Sequence, residues 1–224
     1  MKFTVLTLFP EYFTSPLSAS LVGKAIESKT VHVNFVHLRE FGEGKHRSVD
    51  ARPFGGGPGM VLMPEVVEKA MAAQNFTEKP YVVFLSPQGN KLNNDSARAF
   101  AAKKHIVLLC GHYEGIDERI IEEFVDEEVS IGDFVLTGGE PAALVFIDAV
   151  SRFIPSVIGD DESVSTDSFE GGVLKGPAYT RPQAWRGREV PAVLLSGNHG
   201  EIEKWRKKES LERTAKRRPD LLKK

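Results

Sequence analysis

One stretch decides the fold of this chain of 224 residues: Ile106–Gly115, with the sequence IVLLCGHYEG. Its first five residues form an apolar run of the length typical of a buried strand. A loop bounded by Gly111 and Gly115 follows that run directly. Ligands of open α/β sheets bind in the crevice at the carboxyl ends of the strands. The stretch therefore predicts a buried strand that leads into a ligand-binding loop.

Strand-like and helix-like segments alternate on both sides of this stretch. The predicted strands are 3–8, 31–36, 81–85, 106–110 and 128–131. The predicted helices are 15–28, 64–74, 93–104, 139–153 and one that begins at Asp117. Ser15 is the predicted N-cap of the first helix and Pro16 its first residue. This order predicts an α/β fold with a mostly parallel sheet and helices on both faces.

The pattern changes after residue 158, where a polar, acidic stretch has no apolar period. We expect a sheet domain at 1–158, a flexible linker at 159–170 and a small, mainly helical domain at 171–224. From Glu201 to Lys224, ten Lys and Arg against five Asp and Glu give +5, so the rest carries −7 of the total of −2. A basic end on an acidic body favours a polyanionic partner, with a solvated helix face as the alternative.

The amino-acid composition of the chain excludes several classes of protein. The chain has one cysteine, Cys110, which excludes an internal disulfide and any multi-cysteine metal site. Its position in an apolar run favours a buried thiol over a nucleophile. The six histidines show no zinc-type spacing. No signal-peptide core and no apolar run near the ~20 residues of a membrane span are present, which predicts a cytoplasmic protein without a membrane partner.

Four glycine-containing loops are the candidate sites. Three of them, 86–89, 111–115 and 130–140, each follow a predicted strand and could converge on one ligand, although ordinary turns are the alternative. Glycine there lets backbone N–H and C=O groups approach a ligand closely. The fourth, 52–60, has three consecutive glycines but lacks the Gly-Lys-Ser/Thr ending of a phosphate loop. No G-x-G-x-x-G follows the first strand, which argues against a dinucleotide enzyme and a Rossmann-type methyltransferase.

Seven motifs occur in a fixed order and together resemble one family, bacterial tRNA (guanine-N1)-methyltransferase of the SPOUT superfamily. The resemblance runs from the first strand to Leu222. The motifs are RPFGGGPGM at 52–60, SPQG at 86–89, GHYEGIDER at 111–119, GDFVLTGGE at 132–140, DSF at 167–169, YTRP at 179–182 and LSGNH at 195–199.

The resemblance implies a fold, a cofactor and partners. Its α/β domain forms the cofactor site from a deep trefoil knot, which no general sequence rule predicts. It implies an obligate homodimer with shared active sites, in which the small domain 171–224 contacts tRNA. The substrate is the guanine immediately 3′ of the anticodon, and the methyl donor is S-adenosylmethionine, bound in a bent form. The implied cofactor-binding residues are Pro87, Gly111, Tyr113, Glu114, Ser130, Ile131, Gly132, Leu136, Gly138 and Gly139.

The chemistry requires a base, because N1 of guanine carries a proton at neutral pH. A carboxylate can remove that proton, and a guanidinium can stabilise the charge that develops on O6. The resemblance assigns these roles to Asp167 and Arg152. Without it, Asp167 would be a carboxylate of an acidic linker and Arg152 a cation at a helix end.

The sequence departs from many family members at Pro141, which stands one place early, and at Lys175 and Ala178, so no role is transferred to these positions. Some family members depend on Mg²⁺, but no metal-ligand constellation is visible in this sequence, and no metal residue is predicted. The competing interpretations are a SPOUT enzyme acting on ribose or rRNA, a noncatalytic RNA-binding protein and a dinucleotide enzyme.

Overall fold

The chain divides into two compact units, Met1–Gly159 and Asp160–Lys224. The computed structural model describes residues 1–159 and 166–223. The strands are β1 (Lys2–Thr7), β2 (His32–His37), β3 (Asp50–Ala51), β4 (Val61–Leu62), β5 (Tyr81–Lys91), β6 (His105–Cys110), β7 (Glu127–Ser130), β8 (Ala184–Trp185) and β9 (Arg188–Glu189).

A five-stranded sheet with the order β2-β1-β6-β5-β7 lies at the centre of the first unit. All its neighbouring strands pair in parallel. The ribbons β3–β4 and β8–β9 are antiparallel, and the latter belongs to the second unit. The predicted α/β fold with a mostly parallel sheet is therefore confirmed.

Seven α-helices occur in the described residues, and local sequence explains where several begin. Pro64 is the first residue of α3, and Asn93 and Ser96 cap α4 reciprocally at 2.9 and 3.0 Å. The helices are α1 (Thr14–Leu17), α2 (Ser20–Glu27), α3 (Pro64–Ala72), α4 (Asn94–Ala101), α5 (Glu118–Phe124), α6 (Glu140–Ser151) and α7 (His199–Arg217). Single 3₁₀ turns occur at Pro10–Phe13, Leu38–Phe41, Glu170–Gly172, Ala192–Leu195 and Pro219–Leu222.

The prediction of one helix over 15–28 is wrong, because the chain forms α1 and α2 instead. The backbone N–H and the hydroxyl of Ser18 both bond to the Ser15 carbonyl oxygen, at 3.3 and 2.9 Å, and this closes α1. Ser20 then adopts a left-handed φ of 58°, which breaks the helical path. The strand predicted to end at Leu85 instead continues, after an irregularity, to Lys91.

Two apolar clusters cover the two faces of the sheet. In β6, Ile106, Leu108 and Cys110 belong to one cluster, with α2, α4 and α6, while Val107 and Leu109 belong to the other, with α3 and α5. Side chains that alternate in this way are both buried because the sheet is covered on both sides. Each fully buried Leu or Ile contributes about 1.5–3 kcal/mol. The predicted placement of helices on both faces is confirmed.

The second unit contains the longest helix, α7. The Leu174 N–H donates to the hydroxyl of the buried Thr214 at 2.9 Å, and the Ser210 hydroxyl donates to the Leu174 carbonyl oxygen. These bonds attach the segment around Leu174 to the helix. In the part of the chain that the structure describes, no helix is both long and apolar enough to cross a membrane.

Candidate active site

Three loops leave three adjacent strands, β6, β5 and β7, at the carboxyl edge of the sheet. The loop after Leu85 bulges away from its neighbour, because Leu85 and Asn90 both pair with Val129. At Gly89 a side chain would collide with the backbone of Glu128, so a glycine permits this close passage. The other two loops are 111–115 and 131–139.

The loops 111–115 and 131–139 are joined to each other by their backbones. His112 and Gly138 form an isolated antiparallel bridge, and the Gly139 N–H donates to the Gly111 carbonyl oxygen at 2.8 Å. A Cβ on Gly139 would lie 2.8 Å from the Cα of Cys110, closer than real Cβ atoms approach. The absence of a side chain at residue 139 is therefore what lets these two loops meet.

The loops enclose a cavity of about 230 Å³. All ten residues that the resemblance implies for the cofactor line this cavity: Pro87, Gly111, Tyr113, Glu114, Ser130, Ile131, Gly132, Leu136, Gly138 and Gly139. The structure thus brings together positions that lie up to 52 residues apart in the sequence. Pro141 is not among the cavity-lining residues of the described chain, whereas Ala142 is.

Sequence reasoning missed several residues that line the same cavity. His112, Phe134, Val135 and Thr137 lie within the predicted loops, between the residues that were identified. Phe134 is 53% exposed and Val135 is 85% exposed, which is unusual for large apolar side chains. Taking each loop as a whole would have found all four residues.

Glu114 is the one Asp, Glu, Lys or Arg among the cavity-lining residues of the described chain. Its backbone N–H donates to the Met60 carbonyl oxygen at 3.0 Å, and its side chain packs against Gly59. The fourth glycine loop thus contacts the cavity through its last residues. Phe54, near the start of that loop, is fully exposed.

Beneath the cavity lie Cys110, Glu140 and Thr7. The Thr7 hydroxyl donates to Oε1 of the buried Glu140 at 2.7 Å. Burial, and secondarily the charge of Glu140, raises the pKa of the Cys110 thiol well above its usual value. A thiol of raised pKa is a poor nucleophile, and Cys110 is 1% exposed, so the prediction of a buried thiol is confirmed.

Asp167 lies in a tight turn of the second unit. Lys175 contacts this turn at two points: its ammonium lies 3.3 Å from Oδ1 of Asp167, and its backbone N–H donates to the Ser168 hydroxyl at 3.1 Å. The Phe169 N–H donates to the Val173 carbonyl oxygen at 2.7 Å. The carboxylate of Asp167 is about a third exposed, so a substrate group can reach it.

Arg152 directly follows α6 in the first unit, where its N–H donates to the Asp148 carbonyl oxygen at 3.3 Å. It is half-buried and does not line the cavity formed by the described residues. Across residues 1–159 and 166–223, no three His, Cys, Asp or Glu side chains are grouped as metal ligands would be.

Fold and site together define a class: an α/β protein whose ligand cavity is built mainly from loop backbone at the carboxyl edge of a parallel sheet. Within that class, the sequence identifies one family. The chain belongs to the tRNA (Guanine-1)-methyltransferase TrmD family, whose sequence profile matches residues 1–224.

Individual relatives agree with this assignment. The chain is 52% identical to the tRNA (guanine-N(1)-)-methyltransferase of Ruminiclostridium cellulolyticum, over 100% of this chain and 97% of that protein. It is 50% identical to the protein of the same name from Alkaliphilus oremlandii, over 100% of this chain and 92% of that protein. Its identity to the Chlamydia pneumoniae protein of that name is 54%, over 99% of this chain and 61% of that longer protein.

Proposed function

We propose that this protein transfers a methyl group from S-adenosylmethionine to N1 of the guanine immediately 3′ of the anticodon in tRNA. One observation carries the proposal: in a chain of this family, all ten residues implied for the methyl donor line a single cavity. A reaction on tRNA is consistent with a cytoplasmic protein.

The cavity suits a compact, positively charged ligand. Its volume of about 230 Å³ is close to the lower end of the range for small-molecule sites, and the bent form of S-adenosylmethionine is part of the same proposal. Glu114 supplies the negative charge that attracts the sulfonium and amino groups. A ligand can approach the backbone closely at Gly111, Gly138 and Gly139, because these residues have no side chains. Loop backbone groups that are not already bonded within the protein can read the edge of an adenine.

The residues outside the cavity perform the proton chemistry. Asp167 accepts the N1 proton of guanine, which makes the ring nitrogen nucleophilic. Arg152 stabilises the negative charge that this leaves on O6. S-adenosylmethionine, when bound, supplies the methyl group. A base is needed because the target atom is a ring N–H, and a ribose hydroxyl would not require a carboxylate at this position.

The helix α7 fits the role of a phosphate contact. Among its 19 residues, Lys204, Arg206, Lys207 and Lys208 form one basic run, followed by Arg213, Lys216 and Arg217. Basic side chains on a helix bind the RNA backbone without regard to sequence, and their affinity falls with salt. These basic side chains therefore supply tRNA affinity, and the Asp167 turn, bonded to the same helix through Leu174, supplies chemistry.

The homodimer and the trefoil knot belong to the same proposal. Large apolar side chains are exposed on the first unit: Tyr12, Leu21, Phe35 and Val145, each between 39% and 49% exposed. A second copy of the chain would cover such side chains. The bulge after Leu85 and the backbone bonds between the loops 111–115 and 131–139 lie at the carboxyl edge of the sheet, where the knot would form.

Methyl transfer from labelled S-adenosylmethionine to tRNA transcripts tests the reaction. The transcripts form a pair, with and without guanine immediately 3′ of the anticodon. We expect methylation of the first transcript alone, mapped to N1. Methylation of a ribose, or of both transcripts, would show a different substrate. Absence of S-adenosylmethionine binding in calorimetry would contradict the proposal as a whole.

A complementation experiment tests the shared active sites. Asp167→Asn and Arg152→Ala are co-expressed with different tags, and the mixed dimer is purified. If one protomer supplies the base and the other the arginine, one of the two sites in the mixed dimer has both native residues, and activity returns. If each protomer supplies both residues, every site has one defect and the mixed dimer stays as inactive as its parents.

A further inference from the structure

A carboxylate is buried beneath the loops 111–115 and 131–139. Glu140 is 3% exposed, and its Oε1 accepts the Thr7 hydroxyl at 2.7 Å. Within the described residues, that hydroxyl is its one side-chain donor. The N-terminus of α6 favours a negative charge at this residue, yet a buried carboxylate without a cation remains costly. A residue this costly points to a task beyond filling space.

A second buried polar atom lies nearby without a partner. Nδ1 of His112 is enclosed by the protein and makes no hydrogen bond to any of the residues the structure describes. The His112 ring itself is well held, since its centroid lies 5.1 Å from that of Phe9 and 4.8 Å from that of Tyr113. A buried nitrogen of this kind is rare in native proteins and calls for an explanation.

The two atoms face the same point. A Cβ on Gly138 would lie 2.5 Å from Oε2 of Glu140 and 2.8 Å from Nδ1 of His112. The carboxylate oxygen and the imidazole nitrogen are therefore near neighbours, and the space between them exists because residue 138 has no side chain. An imidazole with its proton on Nδ1 can donate across that space, after a small rotation of the ring or through one water molecule.

The position of these residues connects them with the cavity. Thr7 ends β1, Glu140 begins α6, and His112 lies in the loop that carries Gly111, Tyr113 and Glu114. His112 also pairs with Gly138 through the backbone. Side chains that link β1 to both loops can set the distance between the two walls of the cavity.

We propose that Thr7, Glu140 and His112 form a buried polar triad that positions the two loops for the methyl donor. The inference rests on the proposed function, because the ligand is S-adenosylmethionine. Glu140 accepts from Thr7 with one oxygen and, after that small rotation of the ring or through that one water molecule, from Nδ1–H of His112 with the other. The three are positioning residues, since they act through the loop backbone that contacts the ligand.

A pair of substitutions at His112 separates this role from simple packing. Calorimetry with S-adenosylmethionine on the full-length protein is the measurement. Asparagine places an amide N–H near the position of Nδ1, whereas glutamine places one near Nε2. We expect His112→Asn to bind within about threefold of the native protein and His112→Gln to bind about tenfold more weakly. Packing alone predicts the opposite order, because glutamine is closer to histidine in size.

Substitutions of the partners test the triad as a unit. We expect Glu140→Gln to bind about tenfold more weakly, and Glu140→Gln combined with His112→Gln to be no worse than either alone, because coupled residues are not additive. Thr7→Ser keeps the hydroxyl and should bind S-adenosylmethionine with native affinity. Thr7→Val lacks the hydroxyl and should bind it more weakly. Ser151→Ala is the matched control, since it removes another buried, unpartnered polar atom at the opposite end of the same helix.

Circular dichroism and thermal unfolding establish that each variant folds. If a substitution at Glu140 unfolds the protein, the comparison of Thr7→Ser with Thr7→Val tests the triad instead. Equal affinities for the two His112 variants, additive losses in the double variant, or equal affinities for the two Thr7 variants would overturn the triad. If the native protein itself does not bind S-adenosylmethionine, the proposed function and the triad are both overturned. Native binding with unaffected variants overturns the triad alone.

Discussion

The cavity and the Asp167 turn are built in opposite ways. The cavity consists mainly of backbone, glycine and apolar side chains, and Glu114 is the one acidic side chain among the described residues that line it. The Asp167 turn presents charged side chains, with Asp167 and Lys175 in contact at 3.3 Å. A site built from backbone is sensitive to shape, whereas a site built from side chains is sensitive to charge. Substitutions in the first region should therefore change affinity for the methyl donor, and those in the second should change the rate of transfer.

The largest effect is expected for Asp167→Asn, which removes the proposed base while keeping its size. General-base catalysis contributes about 10²- to 10⁴-fold, so the single-turnover rate of methyl transfer should fall by that range. Affinity for S-adenosylmethionine should stay within about twofold, because the residue belongs to the other region. Rapid-quench kinetics and calorimetry measure the two quantities. A normal rate would remove Asp167 from the mechanism, and a large loss of affinity would break the comparison.

The next effect is expected for Gly139→Ala, which changes shape and adds no charge. The new methyl group would press on the Cα of Cys110 at 2.8 Å and push the two loops apart. Overpacking of this kind costs about 1–3 kcal/mol, which corresponds to roughly a 5- to 150-fold loss of S-adenosylmethionine affinity. Calorimetry measures that loss.

Gly159→Ala is the matched control for this substitution. It lies in the same unit, and no atom of the described residues lies within 4 Å of the place where its Cβ would stand. Its affinity for S-adenosylmethionine should equal that of the native protein. Equal affinities for both alanine variants would show that the close contact at residue 139 does not control the cavity.

The strands and the cavity were accessible from the sequence because short-range rules decide them. Apolar runs such as Ile106–Cys110 predict buried strands, and the loops that follow parallel strands meet at one edge. The ten cavity residues, however, came from a family resemblance. Rules of spacing predicted that the loops converge, but they gave no reason to choose Leu136 and omit Val135, and both residues line the cavity.

Other features depended on contacts that no local pattern records. Pro87 and Gly89 are typical of a turn, yet β5 rejoins β7 after them, because Gly89 permits close passage along Glu128. The Ser18 hydroxyl bond that ends α1 competes with a good helical pattern, and propensity alone favoured one long helix. The burial of Glu140 was also invisible, since a Glu at the start of a helix is usually exposed.

A smaller effect is expected at Lys175, within the charged region. Lys175→Met removes the ion pair with Asp167 but keeps the length of the side chain. Exposed ion pairs contribute up to about 1 kcal/mol, so the rate of methyl transfer should fall by no more than about fivefold. Lys175→Arg keeps the charge and should restore most of the rate. If the rate of methyl transfer falls equally in both variants, the charge of Lys175 is not what aligns Asp167.

The smallest effect lies at the amino edge of the sheet, away from the cavity. There, burial and, secondarily, the charge of Lys2 lower the pKa of His105, whose Nε2 lies 2.9 Å from the Thr4 hydroxyl oxygen. The unfolded chain then binds a proton more readily than the folded one. His105 therefore contributes stability that is present above pH 6.5 and lost as the pH falls below it.

His105→Gln should reduce this pH dependence, because an amide does not titrate. Urea unfolding of both proteins at a pH above 6.5 and at one well below it gives the loss of free energy of unfolding on acidification. Subtracting the loss measured for the variant from that of the native protein removes the contribution of the carboxylates, which both proteins share. We expect the native protein to lose more free energy of unfolding on acidification than the variant. Affinity for S-adenosylmethionine at the higher pH should be the same for both, since His105 lies at the opposite ends of the strands from the cavity loops. An identical loss of stability in the two proteins would show that His105 takes up its proton equally well folded and unfolded.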